Sequence, residues 1–155
     1  MTPGPSVVTA IGSTTRRLDY WEHFPHGADV GIRGVGSTMA EAFAQAALAL
    51  TAAVCDVESV RPLKVSDIVC RAPSPELLLV DWLNAIVFAM ATEHMIFGAF
   101  DVRIEDRELH AMLKGEPIDR DRHQPAVEVK GATHTALRVE QRSDTQWVAQ
   151  CVIDV

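Results

Sequence analysis

Apolar and polar residues alternate with a period of two in the first clear element of the chain. In DVGIRGV, residues 29–35, Val30 and Ile32 share one face, while Arg33 and Val35 share the other. This pattern is typical of a short strand. The glycines that follow loosen the backbone where the strand is predicted to end.

Two longer segments carry helical spacing instead. MAEAFAQAALALTAAV is rich in alanine, and Thr38 and Glu41 form a capping-box pattern at its start. PELLLVDWLNAIVFAMATEH follows Ser74 as the N-cap and has Pro75 at the first helical position. Because its apolar residues cover most of the helix circumference, we expect this second helix to be largely buried.

The remaining segments alternate as strands. LKVSDIVCRA (63–72) predicts one strand, and FDVRIED and ELHAMLK predict a hairpin that turns at Asp106-Arg107. VEVKGAT, TALRVEQ and QWVAQCVID predict three more, after a charged segment, GEPIDRDRHQP, that we expect to be a solvated loop. Two helices packed on one face of a mainly antiparallel sheet make a single α+β domain.

Composition agrees with one domain. The 155 residues are 48% hydrophobic, which is enough for one substantial core. Residues 1–18, rich in Pro, Gly, Ser and Thr, are predicted to be a flexible tail before a domain of residues 19–155. Since we see neither a signal-like start nor about 18 uninterrupted apolar residues, we expect a cytoplasmic protein without a membrane partner. Cys55, Cys70 and Cys151 have no CxxC spacing and are expected to be reduced, buried thiols.

Charge and motifs exclude several classes of function. The net charge of −7, from 21 acidic and 14 basic residues, opposes direct binding to a phosphate backbone. Gly31, Gly34 and Gly36 reverse the dinucleotide-binding order, and no Walker-type lysine follows them. We find neither zinc-ligand spacing nor a nucleophile elbow, which disfavours a self-contained hydrolase. An acidic chain is still compatible with a cation site.

The end of the chain suggests such a site. AQCVIDV alternates as a strand up to Asp154, one residue before Val155. If the strand that begins at Asp29 lies beside it, both aspartates and the carboxylate of Val155 converge. Such a cluster is stable only when it is protonated or bridged by a cation. From the residues alone, a phosphate loop at the glycines and a simple strand exit remain alternatives.

From Trp21 to Val155, the chain resembles the archease family. The stretches that carry the resemblance occur in the family's order and spacing, and they are WEHFPHGADVGIRGVG, EAFAQAALAL, LLLVDWLNAIVF, GEPIDRDRHQPAVEVKGATH and WVAQCVIDV. Two stretches depart from the family pattern. HGAD has Gly27 where the family has threonine, and VKGATHT lacks the usual tyrosine and the histidine at its usual place.

The resemblance implies a small α+β protein that is not itself catalytic. Archeases assist the RtcB-type RNA ligase, which seals tRNA halves and other RNAs with 2′,3′-cyclic phosphate or 3′-phosphate ends. The implied role is to promote guanylylation of the ligase and its multiple turnover, so that RNA is met only through the ligase. A stand-alone divalent-metal-dependent enzyme acting on nucleotides or phosphoesters is the alternative, and a plain interaction module is a third hypothesis.

The resemblance also implies the residues of the site. The metal ligands would be Asp29, Asp154 and Val155. Ligation through oxygen suits Ca²⁺ first, and also Mg²⁺ or Mn²⁺. Further residues are expected to support the metal or to contact the partner, namely His26, Glu128 and Lys130.

Overall fold

The computed structural model describes residues 19–155, so the tail predicted for residues 1–18 lies outside the described residues. The elements in chain order are β1 (Tyr20–His26), β2 (Asp29–Gly36), α1 (Met39–Val54), β3 (Lys64–Arg71), α2 (Pro75–Glu93), β4 (Met95–Glu105), β5 (Glu108–Pro117), α3 (Arg120–His123), β6 (Gly131–Ala132), β7 (Arg138–Ser143) and β8 (Gln146–Asp154). A 3₁₀ turn, Val57–Ser59, follows α1.

The strands form two antiparallel sheets. In the larger sheet β1, β2 and β8 are neighbours in that order, and β6 and β7 both pair with β8. The smaller sheet has the order β3-β5-β4. The two long helices, α1 and α2, contact strands of both sheets. The hydrophobic core forms between these helices and the sheets. The α+β class with antiparallel strands is confirmed, but the strands form two sheets where a single sheet was expected.

Helix α1 runs back along β2 at very close range. Gly34 permits this approach, since a Cβ at that position would lie 2.2 Å from the backbone oxygen of Ala42. Further toward the start of β2, His23 pairs with Ile32 and its Nε2 lies 2.8 Å from the backbone oxygen of Ala49. The C-terminal end of α1 therefore approaches the end of the sheet where β2 begins.

Helix α2 begins and packs as its sequence predicts. Ser74 caps it by accepting from the Leu77 N–H at 3.2 Å, and Pro75 is the first helical residue. Trp82 is fully buried, and its Nε1 donates to the backbone oxygen of Phe43 at 3.0 Å. By length and hydropathy, α2 is the one helix in residues 19–155 that could cross a membrane. That is weak evidence, because its apolar composition also serves burial: Leu79, Trp82 and Ile86 belong to the core.

Two strand predictions have different bounds in the structure. β4 begins at Met95 rather than near Phe100. The earlier start was not predicted, because Met95 to Phe97 are all buried and show no alternation. The predicted strand VEVKGAT was wrong over most of its length, since only Gly131 and Ala132 join a ladder. Just before them, the Ala126 N–H donates to the backbone oxygen of Val54 and the Lys130 N–H to that of Asp154, so the alternation did not mark a strand.

The prediction of a solvated charged loop was wrong in part, since residues 119–121 are exposed but the segment contains a helix that ends at the buried His123. Residues 120–123 form α3, which Asp119 caps, and the segment is pinned around the buried carboxylate of Glu116. That carboxylate accepts from the Arg61 N–H at 2.8 Å, pairs with Arg122, and lies 3.0 Å from Nε2 of the fully buried His123. The Asp119 N–H donates to Nδ1 of His123 at 2.9 Å, which leaves Nε2 as the donor to Glu116. The alternating charges thus include members of one buried network.

Candidate functional site

The candidate site lies where β2 begins and β8 ends. Val30 and Ile153 are the outermost pair of the β2–β8 ladder. The next residue outward in each strand is an aspartate, so Asp29 and Asp154 lie side by side at one end of the sheet. The Val155 N–H donates to Oδ1 of Asp29 at 3.4 Å, which turns the last residue toward Asp29. The structure therefore brings together the three residues that the sequence analysis selected.

Both aspartates project from the sheet face that turns away from α1. Gly34 lies against α1, so Gly31, an odd number of residues away, faces the opposite side. Asp29 shares the face of Gly31, and Val152, which pairs with Gly31, places Asp154 on that face as well. Asp154 is exposed and Asp29 is half-buried, so a ligand can reach both side chains from the same side.

The donor atoms suit a hard cation. Side chains directly opposite each other on antiparallel strands have Cβ atoms about 5 Å apart, which allows two carboxylates to share one ion. Within residues 19–155, no three His, Cys, Asp or Glu side chains gather at metal-binding spacing. A third donor group would then be a backbone oxygen, and the backbone of Val155 lies beside Asp29. The donor set contains oxygen alone, which favours Ca²⁺, Mg²⁺ or Mn²⁺ over zinc or copper.

His26 stands opposite Asp29 across the β1–β2 hairpin and is exposed. The turn between them has Gly27 at φ +58°, in the left-handed region that glycine adopts without steric cost. A threonine would be strained with this backbone conformation. The turn thus explains the glycine in HGAD, and His26 remains a cross-strand neighbour of Asp29.

Lys130 reaches the site through its backbone rather than its side chain. Its N–H donates to the backbone oxygen of Asp154 at 2.8 Å, and Gly131 pairs with Asp154. The side chains of Lys130 and Glu128 are both exposed. Glu128 lies further from the aspartates along the chain, where it borders an apolar groove.

Asn84 contributes to the site in a way that was not predicted from the sequence. Its Oδ1 accepts from the Ala132 N–H at 2.8 Å, and Ala132 pairs with Ile153 next to Asp154. A Cβ on Gly131 would lie only 3.1 Å from the same oxygen. Asn84 therefore ties α2 to β6 and, through β6, to the end of β8. The signal available in the sequence was a single amide within an otherwise apolar helical stretch, WLNAIVF.

Fold and site together define a small α+β protein with two antiparallel sheets and two long helices. Two aspartates lie where β2 begins and β8 ends. A family model described as "Archease protein family (MTH1598/TM1083)" matches residues 21–155. The chain belongs to the archease family.

Individual relatives agree with this assignment. The chain is 38% identical over 139 residues to the protein archease of Thermococcus gammatolerans, covering 87% of this chain and 98% of that protein. It is 36% identical to the protein archease of Pyrococcus furiosus over the same length and coverage.

Solved structures agree on the fold. The solution structure of Methanobacterium thermoautotrophicum protein 1598 matches with a TM-score of 0.75 and 27% identity, covering 87% of this chain and 98% of that one. A Thermotoga maritima crystal structure, described as an archease and possible chaperone, matches with a TM-score of 0.58. At 14% identity, over 86% of this chain and 96% of that one, it supports the fold alone.

Proposed function

We propose that this chain is a non-catalytic protein cofactor of an RtcB-type RNA ligase, and that it promotes guanylylation and multiple turnover of the ligase in tRNA splicing and RNA repair. Membership of the archease family over residues 21–155 supports this role. The observation that carries the proposal is the meeting of Asp29 with the chain end, where the Val155 N–H lies 3.4 Å from Oδ1 of Asp29.

In this role the protein acts through a divalent cation that is held by Asp29, Asp154 and the carboxylate of Val155. Ca²⁺ is our first choice, and Mg²⁺ and Mn²⁺ fit the same oxygen donors. When bound, the cation offsets the negative charge of these carboxylates and is available for presentation to, or exchange with, the ligase active site. RNA meets the protein only through the ligase, since the net charge of −7 opposes unaided contact with phosphates.

Other residues of the chain hold the two aspartates in position. The β2–β8 ladder sets the spacing of the two aspartates, and the Lys130 N–H and Gly131 hold the backbone of Asp154 from its other side. Asn84 fixes β6 in turn. Because the donors sit at the end of a paired sheet, little conformational entropy remains to be lost when an ion binds.

The first test is multiple-turnover RNA ligation by the ligase from the same organism, with and without substoichiometric amounts of this protein. Wild-type protein should raise the number of turnovers, and Asp29→Asn should abolish most of that stimulation. Asp144→Asn is the matched control, because it removes the same charge from an exposed turn at the opposite end of β8. Absence of stimulation by wild-type protein would remove the proposal.

The second test concerns the carboxylate of Val155. Two glycines appended after Val155 convert that carboxylate into a peptide group and displace the charge. Calcium affinity, measured by isothermal titration calorimetry, should fall at least tenfold, and ligation should weaken in parallel. Unchanged affinity in both the extended protein and Asp29→Asn would eliminate the metal site. GTP or phosphoester hydrolysis by the protein alone would favour the stand-alone enzyme instead.

A further inference from the structure

An apolar groove opens at the same end of the molecule as the candidate metal site. α1 ends at Val54 and runs antiparallel to β2, with Ala49 level with Ile32 through the His23 contact. Five more helical residues advance about 7.5 Å, and three strand residues back to Asp29 advance about 10 Å. Val54 therefore lies near the level at which β2 begins.

The groove has a volume of about 430 Å³ between the ends of the two helices and the segment that leads to β6. Its walls are apolar, and two opposite charges, Arg120 and Glu128, border it. The apolar wall includes Val54, Val87, Met90, Met95 and Val127. A cavity of this size accommodates one large apolar side chain together with part of its backbone.

A short chain segment links the groove to the metal site. At one end the Ala126 N–H donates to the backbone oxygen of Val54 at 2.8 Å, and at the other the Lys130 N–H donates to that of Asp154 at 2.8 Å. The four residue steps from Ala126 to Lys130 span at most about 14 Å. A standard interface covers about 800 Å² per partner, which corresponds to a radius of about 16 Å. The groove therefore lies within the radius of a standard interface that is centred on Asp154 at the end of the sheet.

We infer that this groove receives an apolar anchor side chain of the ligase while the same ligase engages the Asp29–Asp154 corner. The inference rests on the proposed function, because it assigns a second contact to the same partner. The charges at the rim specify the flanks of the anchor, with an acidic group opposite Arg120 and a basic group opposite Glu128. Buried apolar anchors surrounded by a polar rim provide most of the energy in such interfaces.

A second copy of this chain fits the groove less well. Two copies, each with a net charge of −7, repel one another. A ligase that binds polyanionic RNA and GTP must present basic surface near its active site, which attracts this acidic chain. Electrostatics thus favours the ligase over self-association.

The test uses two tryptophan substitutions in the last turn of α2. Ala91 is exposed and lines the groove, so Ala91→Trp fills it from the rim. Thr92 is the next residue, is equally exposed and does not line the groove, so Thr92→Trp is the matched control. Both variants should keep the circular dichroism spectrum and the melting temperature of the wild type within a few degrees.

Stimulated ligation is then measured against the concentration of each variant. Ala91→Trp should raise the half-maximal concentration at least tenfold and leave the maximal rate within twofold, while Thr92→Trp changes neither. Asp29→Asn should instead lower the maximal rate of stimulated ligation. The docking contact and the metal site are thus distinguished by which of the two parameters changes. An unshifted half-maximal concentration for Ala91→Trp would overturn the inference, as would a wild-type dimer in sedimentation that Ala91→Trp dissociates. A lack of stimulation by wild-type protein would instead refute the proposed function.

Binding to the isolated ligase provides a readout besides activity. In calorimetric titrations, Ala91→Trp and Arg120→Glu should each weaken binding at least tenfold. Arg120→Glu places a negative charge at the rim of the groove. This charge repels the acidic group of the ligase that is expected opposite Arg120. Equal affinities for wild type, Ala91→Trp and Arg120→Glu would contradict the inference even where ligation responds.

Discussion

The buried carboxylate of Glu116 makes a quantitative prediction about stability at acid pH. Its side chain is 5% exposed and is surrounded by the Arg61 N–H, Arg122 and His123. Burial raises the pKa of Glu116, but these three donors outweigh it and lower the pKa from its ordinary value of 4.5 to about 2. Glu116→Gln preserves the shape of the side chain and removes the charge.

The contribution of ionised Glu116 to the free energy of unfolding follows from the linkage between proton binding and folding. A pKa lowered on folding means that the ionised group stabilises the native state above about pH 4.5, and this contribution is lost as the pH falls toward 2. The difference between 4.5 and about 2 corresponds to about 3 kcal/mol, since one pKa unit is about 1.4 kcal/mol. By pH 3.5, about 1.4 kcal/mol of that contribution has gone, because the unfolded group is then mostly protonated.

The assay is urea unfolding of wild type and Glu116→Gln at several pH values. Above pH 5 the variant should be less stable by roughly 3 kcal/mol, and the gap should narrow by about 1.4 kcal/mol at pH 3.5. Glu105→Gln, at the exposed β4–β5 turn, is the control, since an exposed substitution of this kind should change stability little at neutral pH. A gap that is constant with pH, or smaller than about 1 kcal/mol at pH 7, would refute the reasoning.

Three further predictions concern packing and burial. Gly34→Ala places a methyl group 2.2 Å from the backbone oxygen of Ala42, so we expect a loss of more than about 3 kcal/mol or failure to fold, and near-normal thermal unfolding would contradict the contact. Thr51→Val removes the hydroxyl that donates to the buried backbone oxygen of Phe97 at 2.7 Å and should cost about 1–3 kcal/mol in urea unfolding, whereas no loss would mean that the oxygen finds another donor. Burial raises the pKa of the Cys151 thiol to about 12, so a thiol reagent at pH 8 should modify it only after unfolding, and rapid modification of native protein would show that it is accessible.

Local elements were the most predictable part of the fold. Thr38 and Ser74 cap their helices with the bonds that their positions indicate, since a capping interaction involves residues only three apart. The hairpin turn at Asp106-Arg107 also forms as predicted, with both residues at positive φ. In these cases the interactions that determine the structure involve only a few neighbouring residues, so the local sequence is enough to predict them.

Predictions failed where a segment finds its partners far away in the chain. VEVK alternates like a strand, yet the Ala126 N–H just before it donates to the end of α1 and the Lys130 N–H at its end donates to Asp154. The charged segment before it reads as a solvated loop, because no local pattern shows that Glu116 lies beneath Arg122 and His123. Alternation and charge describe a segment, whereas burial depends on what packs against it.

By itself, the sequence determined the α+β class, the caps of both long helices and the acidic residues at the beginning of β2 and the end of the chain. Only the tertiary structure decided that Asp29 and Asp154 stand side by side, since this follows from a ladder between strands more than 100 residues apart. It also decided that Asn84 supports β6 and that a groove opens beside the site. The physical reason is that local preferences select elements, while ladder register and helix packing depend on the complementarity of distant surfaces.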